Sequence, residues 1–186
     1  MTRRDAAAAL TLPVGKRDHI RGPADAAVTL VEYGDYECPY CGEAYPIVKG
    51  LQRELGGDLR FAFRNFPLAQ AHPNATRAAQ AAEAAGLQHK FWEMHDLLYE
   101  NQDKLDDRHL RQHAHRLALD LDRFDRDIDS AGVVAKVRSD FLSGARSGVN
   151  GTPTFFVNGE RYDGNWASRE FLAHLVALLE RARPSI

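Results

Sequence analysis

Cysteine is scarce in this chain: among 186 residues only Cys38 and Cys41 carry a thiol. A framework of several disulfides is therefore excluded, and a zinc site would need two more ligands from distant histidines. A Cys38–Cys41 bridge made for stability alone is poorly motivated, because chain-entropy reasoning gives the shortest loops the least stabilisation. Long apolar runs are missing too, since no stretch approaches the roughly 18–20 residues that a membrane helix requires. There is no excess of either charge: 24 basic residues stand against 26 acidic ones, a formal net charge of −2, and no nucleic-acid partner is suggested.

What is present suits an ordinary folded domain. The composition is 44% hydrophobic and 27% charged, and the length fits one domain, or one domain carrying a large insertion. The opening Met1–Asp5 followed by Ala6–Leu10 faintly imitates a signal peptide. Thr11, Pro13, Gly15 and the charges of Lys16–Asp18 break that run, so a cytoplasmic location is expected.

Residues 1–26, with Pro13, Gly15, Gly22 and Pro23 among charges, read as an N-terminal arm, and order is expected from about Ala27. Val28–Tyr33 is a β-branched, apolar run of the kind covered on both faces of a sheet, with Glu32 as its single charge. A helical pattern opens at Cys38-Pro39-Tyr40-Cys41 and runs to about Leu55, with Gly56-Gly57 as the stop and Pro46 inside it as an expected kink. Leu59–Phe66 alternates, giving a strand whose Leu59, Phe61 and Phe63 share a face. Strand, helix, strand implies two parallel strands joined by a right-handed crossover.

From His72 to about Gly148 the period is helical throughout, with Phe91, Trp92, Met94, Leu97 and Leu98 recurring as a core-facing stripe. Strand character returns at Thr154–Val157, where Asn158-Gly159 signals a tight hairpin into Glu160–Tyr162. A last helix over 168–181 is capped by Ser168 and turns Phe171, Leu172, Leu175, Val176 and Leu179 inward. The chain thus divides into an arm (1–26), an α/β domain (27–71 and 149–186) and an all-helical insertion (72–148).

The chemistry concentrates at the two thiols. Only a thiolate is a nucleophile, and a cysteine at a helix N-terminus meets unpaired amides and the positive end of the helix dipole, which lower its pKa. Cys38 occupies that place. Cys41, about one turn on, can reach the Cys38 sulfur while remaining more buried. Cys38 would attack a partner disulfide to form a mixed disulfide; Cys41 would then attack Cys38, releasing the reduced partner and leaving a Cys38–Cys41 bond. Asp35 and Glu37 nearby would oppose the thiolate if they faced it.

The segment from Val31 to Gly42, which contains Cys38-Pro39-Tyr40-Cys41, resembles the active-site region of the DsbA-like branch of thioredoxin-fold proteins. Pro46, the Gly151-Thr152-Pro153-Thr154 loop and the helical insertion extend the likeness over about Ala27 to Ala182. The resemblance implies a thioredoxin-like α/β fold, a mixed sheet with flanking helices, and a protein disulfide oxidoreductase without a cofactor. It would be monomeric, exchange with protein disulfides or small thiols, and have a thiol reductant or oxidant as redox partner and no membrane partner. It further implies that Pro153 is cis and that the Thr152 backbone pairs with an extended substrate segment; an ordinary trans turn is the alternative. Pro39 and Tyr40 join these as expected substrate contacts. DsbA has a histidine before its second cysteine where Tyr40 stands here, so a more reducing pair than DsbA is expected.

Glu32 admits two readings. Buried in a central strand its carboxyl would resist ionisation and could relay the proton of Cys41, as an acid at the matching place does in DsbA-like proteins; at a strand edge it would simply reach water. His109 and His113 could share a helix face able to hold a metal, although surface histidines explain them as well. The competing functions are a thioredoxin-fold protein that holds an iron-sulfur cluster or metal through its C-x-x-C, and a thiol enzyme acting on a small substrate such as a peroxide.

Overall fold

The β-branched run at 28–33 does become a strand, buried except at the half-buried Thr29, and in the computed structural model, which describes residues 8–182, it forms the centre of the molecule. Met1–Ala7, where the imitation of a signal peptide begins, and residues 183–186 lie outside the described residues. Five strands, β1 (His19–Arg21), β2 (Val28–Gly34), β3 (Leu59–Asn65), β4 (Thr154–Val157) and β5 (Glu160–Arg161), form one mixed sheet in the order β1-β3-β2-β4-β5. The expected parallel pair is β2 with β3, in a register that sets Glu32 beside Phe63, while β4 runs antiparallel on the other side and sets Phe155 beside Glu32. Asn158 and Gly159 both take positive φ, 50° and 86°, as a two-residue hairpin demands.

Between β2 and β3 lies α1 (Pro39–Leu55), which begins with Pro39 in its first turn and continues through Pro46 on its exposed side. Cys41, Ala44, Val48, Leu51 and Leu55 form its buried stripe against the face of the sheet that carries Val28, Leu30, Phe61 and Phe63. On the opposite face Val31, Tyr33, Ala62, Phe66 and Phe156 make a second, smaller core.

The insertion supplies five helices: α2 (Ala75–Gly86), α3 (Phe91–Glu100), α4 (Asp107–Arg116), α5 (Leu121–Asp127) and α6 (Ala131–Arg146). The last three are capped by Asp106, Asp120 and Ser130, which accept from the amides of His109, Arg123 and Val133. Phe91, Met94 and Leu98 of α3 are buried as the periodicity predicts, whereas Trp92 and Leu97 lie at the margin. The helix α7 (Arg169–Ala182) closes the chain; Ser168 caps it by accepting from Glu170, Phe171, Leu175 and Leu179 point inward, and Leu172 and Val176 are only half buried.

One sequence expectation is corrected by a single interaction. Order does not begin near Ala27: β1 pairs antiparallel with β3, and the segment before it packs on the sheet. On β3, Arg64 and Asn65 are both buried. A buried guanidinium needs acceptors all round. Arg64 finds them in the Asp18 carboxylate at 2.8 and 3.0 Å, the Leu12 and Pro13 carbonyls at 2.9 and 3.2 Å, and the Tyr33 hydroxyl at 2.8 Å. Satisfying Arg64 folds the presumed arm onto the domain.

Candidate active site

The backbone of Cys38 is extended (φ −72°, ψ 122°) as it enters α1 at the N-cap position, which sets its sulfur at the helix end where the amides of Tyr40 and Cys41 favour a thiolate. Cys38 is 4% exposed, Cys41 is fully covered, and both are free thiols. The Cys38 thiol points at the Thr152 carbonyl, 3.3 Å away, and the Thr152–Pro153 peptide is cis. The amide of Asp35 donates to the Cys41 sulfur at 3.5 Å. Pro39 and Tyr40 stand outside this buried pair, Tyr40 with 63% of its surface exposed, while Thr152 and Pro153 are half buried.

These contacts divide the two thiols. Hydrogen bonding from Cys41 favours the Cys38 thiolate most, burial opposes it, and the Thr152 side chain with the amides of Cys41 and Tyr40 adds to the first effect, taking the pKa down to about 5. Cys41 moves the other way, well above the ordinary thiol range, because of burial, its hydrogen bond to Cys38, and the charges of Glu32 and Cys38. The Thr152 hydroxyl is buried and has no other partner among the described residues. Thr152→Val, which removes it without loss of bulk, is expected to raise the Cys38 transition by about one unit; pH-dependent alkylation of the reduced protein measures this.

Glu32 lies in the middle strand of the sheet between Phe63 and Phe155, 2% exposed, and not at an edge. One of its oxygens, Oε1, has no hydrogen-bond partner among the described residues. Burial, with the negative charge of Cys38 second, pushes its pKa up to about 8.

The carboxylates of Glu37 and Asp35 are each engaged by partners other than Cys38. Glu37 accepts from the Asn74 amide at 2.6 Å and its side chain at 2.9 Å, at the head of α2. Asp35 accepts from the amides of Glu37 and Leu68 and meets His72 Nδ1, each at 2.8 Å. His109 is held by Asp106, while His113 turns inward to the Lys104 carbonyl, so the two do not share a ligating face.

Sequence reasoning missed the residues that hold the loop. Gln102, from the segment after α3, donates to the carbonyls of Tyr36 and Cys38, both at 2.9 Å. Gly42 permits this approach, since a Cβ there would run into the Gln102 amide. Spacing offers no signal for a contact across 64 residues.

A family model described as Thioredoxin matches residues 15–176. The chain is similar to a thioredoxin-like oxidoreductase from Silicibacter pomeroyi DSS-3, with a TM-score of 0.79 and 28% identity over 91% of this chain and 95% of that one. It shares its fold with alpha-DsbA1 of Wolbachia pipientis, with a TM-score of 0.77 and 20% identity over 93% and 95% of the two chains. It is also 49% identical over 158 residues to a Na(+)/H(+) antiporter NhaA 1 of Salinispora arenicola (strain CNS-205), a match covering 84% of this chain and 24% of that protein. The chain spans about a quarter of the length of the curated relatives it matches.

Proposed function

The chain belongs to the Thioredoxin family and has the DsbA-like form of its fold, and from that premise we propose that it is a thiol-disulfide oxidoreductase exchanging disulfides with proteins through Cys38 and Cys41. The observation that carries this reading is the opposite displacement of the two thiols, one ionised near neutral pH and one held protonated beside it. Cys38 as thiolate attacks a sulfur of the partner disulfide and expels the other as a thiolate. Cys41 then loses its proton to Glu32 and attacks Cys38, so two electrons pass to the partner and the enzyme keeps the disulfide. In the opposite direction the same steps donate a disulfide.

Around the sulfur, the exposed Pro39 and Tyr40 and the half-buried Thr152 and Pro153 form the substrate contact, with the Thr152 main chain pairing with an extended segment of the partner. Sodium–proton exchange, named for the curated relatives, is not carried over to this chain; no helix among the described residues is long and apolar enough to cross a membrane.

A Cys38 pKa of about 5 lies between about 3.5 for DsbA and about 7 for thioredoxin. The reduction potential is therefore expected between their values of about −120 and −270 mV, more reducing than DsbA. Equilibration with glutathione buffers followed by alkylation tests this. Both thiols should be protected together as a two-electron couple within that range, and the protein should catalyse reduction of insulin disulfides. Independent modification of the two thiols, or a dithiol that catalyses no exchange, would remove the reading.

A further inference from the structure

Asp35 is fully buried three residues before Cys38, and the active-site loop hangs on it. Its carboxylate takes the amides of Glu37 and Leu68, its carbonyl takes the amide of Cys38 at 3.2 Å, and its own amide donates to Cys41. A buried anion so close would work against the thiolate that the loop presents. The fifth contact of Asp35 is the imidazole of His72, in the turn between β3 and α2, with its side chain largely covered and Nδ1 2.8 Å from the carboxylate. The Cys-Pro-Tyr-Cys segment itself holds no cation, since Pro39 and Tyr40 separate the thiols.

We propose that His72 is a positioning residue for the reaction of Cys38: as an imidazolium it balances Asp35, so that the carboxylate can anchor the loop without destabilising the thiolate. The groups facing this imidazole are Asp35, Cys38 and Glu37. Burial works against its charge, but the hydrogen bond and charge of Asp35, then the charges of Cys38 and Glu37, outweigh that and raise its pKa. It therefore stays protonated across the range near pH 5 in which Cys38 ionises. Linkage is reciprocal. Oxidation, which removes the Cys38 anion, lowers the affinity of His72 for its proton.

This inference rests on reading Cys38 as the reactive thiolate. Its test is the Cys38 alkylation midpoint in wild type, His72→Gln, Asp35→Asn and the double variant, with the His72 ring followed by NMR in oxidised and reduced wild type. His72→Gln is expected to reduce thiolate stabilisation about tenfold, making the pair about 30 mV more reducing. The double variant should recover most of that loss, which a purely structural role for His72 would not allow. The difference between wild type and His72→Gln in potential should fade once the pH passes the His72 transition. In the unaltered protein, His72 should titrate higher when reduced than when oxidised.

An unchanged midpoint in His72→Gln, a double variant no better than the single one, or a His72 transition independent of redox state would overturn the proposal. The NMR comparison needs no variant to fold. A wild-type Cys38 that titrates low but ignores His72 defeats only this inference; a wild-type Cys38 with an ordinary thiol pKa defeats the oxidoreductase reading beneath it.

Discussion

Cys41→Ser protein, reduced and mixed with a disulfide-bearing protein, is expected to stop at the mixed disulfide, and its catalytic turnover should fall by about three orders of magnitude or more. Cys38 keeps its place at the helix end, its Thr152 contact and most of the amides that favour its thiolate. Its low pKa should rise in part, because hydrogen bonding from Cys41 is the largest cause of the depression. The first attack therefore survives and the second has no nucleophile. Cys38→Ser should leave neither step. Non-reducing electrophoresis with mass spectrometry reads both: adducts through Cys38 in the first variant, none in the second. Adducts carried by Cys41 in a Cys38→Ser protein would reverse the assigned roles.

Glu32→Gln is expected to slow resolution of the mixed disulfide by about 100-fold at neutral pH, the range ordinary for loss of a general base. Burial, the largest cause of the Cys41 elevation, still holds its proton when Cys38 is tied up in the mixed disulfide, so its attack needs a base that can enter the core. Glu32, with a pKa of about 8 in the dithiol form, is such a base. Once Cys38 is tied up in a disulfide, the second cause of that elevation is gone, and the carboxyl ionises more readily. The wild-type rate should accordingly rise through the neutral range, whereas the Gln variant should stay slow until Cys41 ionises unaided. Single-turnover release of the reduced partner across pH measures the difference; identical profiles would exclude Glu32 from the proton path.

The same carboxyl makes a stability prediction of definite sign. The folded pKa of Glu32 lies above the ordinary value of 4.5, so the unfolded chain loses this proton first as the pH rises. Below about pH 4.5 both states are protonated and nothing is gained or lost. Between there and about pH 8 the folded state is progressively penalised. Glu32→Gln should therefore raise the melting temperature more at pH 8 than at pH 5, which calorimetry of the reduced proteins can check.

Local chemistry carried the sequence reading where it succeeded. Pro39 after a cysteine marks a helix start, Asn158-Gly159 marks a hairpin, and apolar alternation in Leu59–Phe63 marks the core face of β3; each is settled within a few residues. Glu32 was legible as unusual, but whether it was central or at an edge depended on which strands flank β2, and β4 arrives more than 100 residues later. What escaped was polar and long-range. Arg64 is buried only because Asp18, Leu12 and Pro13 are brought to it from the N-terminal segment, and Asp35 looked like a charge opposing Cys38 until His72 and the Leu68 amide closed on it. Gln102 clasps the Cys38 carbonyl from the insertion, a contact that no periodicity foretells.

The most direct test is the ionisation of the first thiol. Thiolate absorbance of the reduced wild-type protein, followed against pH with Cys38→Ser as the blank, should show one transition near pH 5 that the blank lacks. A thiol that ionises only at about pH 8.5, as an unperturbed cysteine does, would contradict the account.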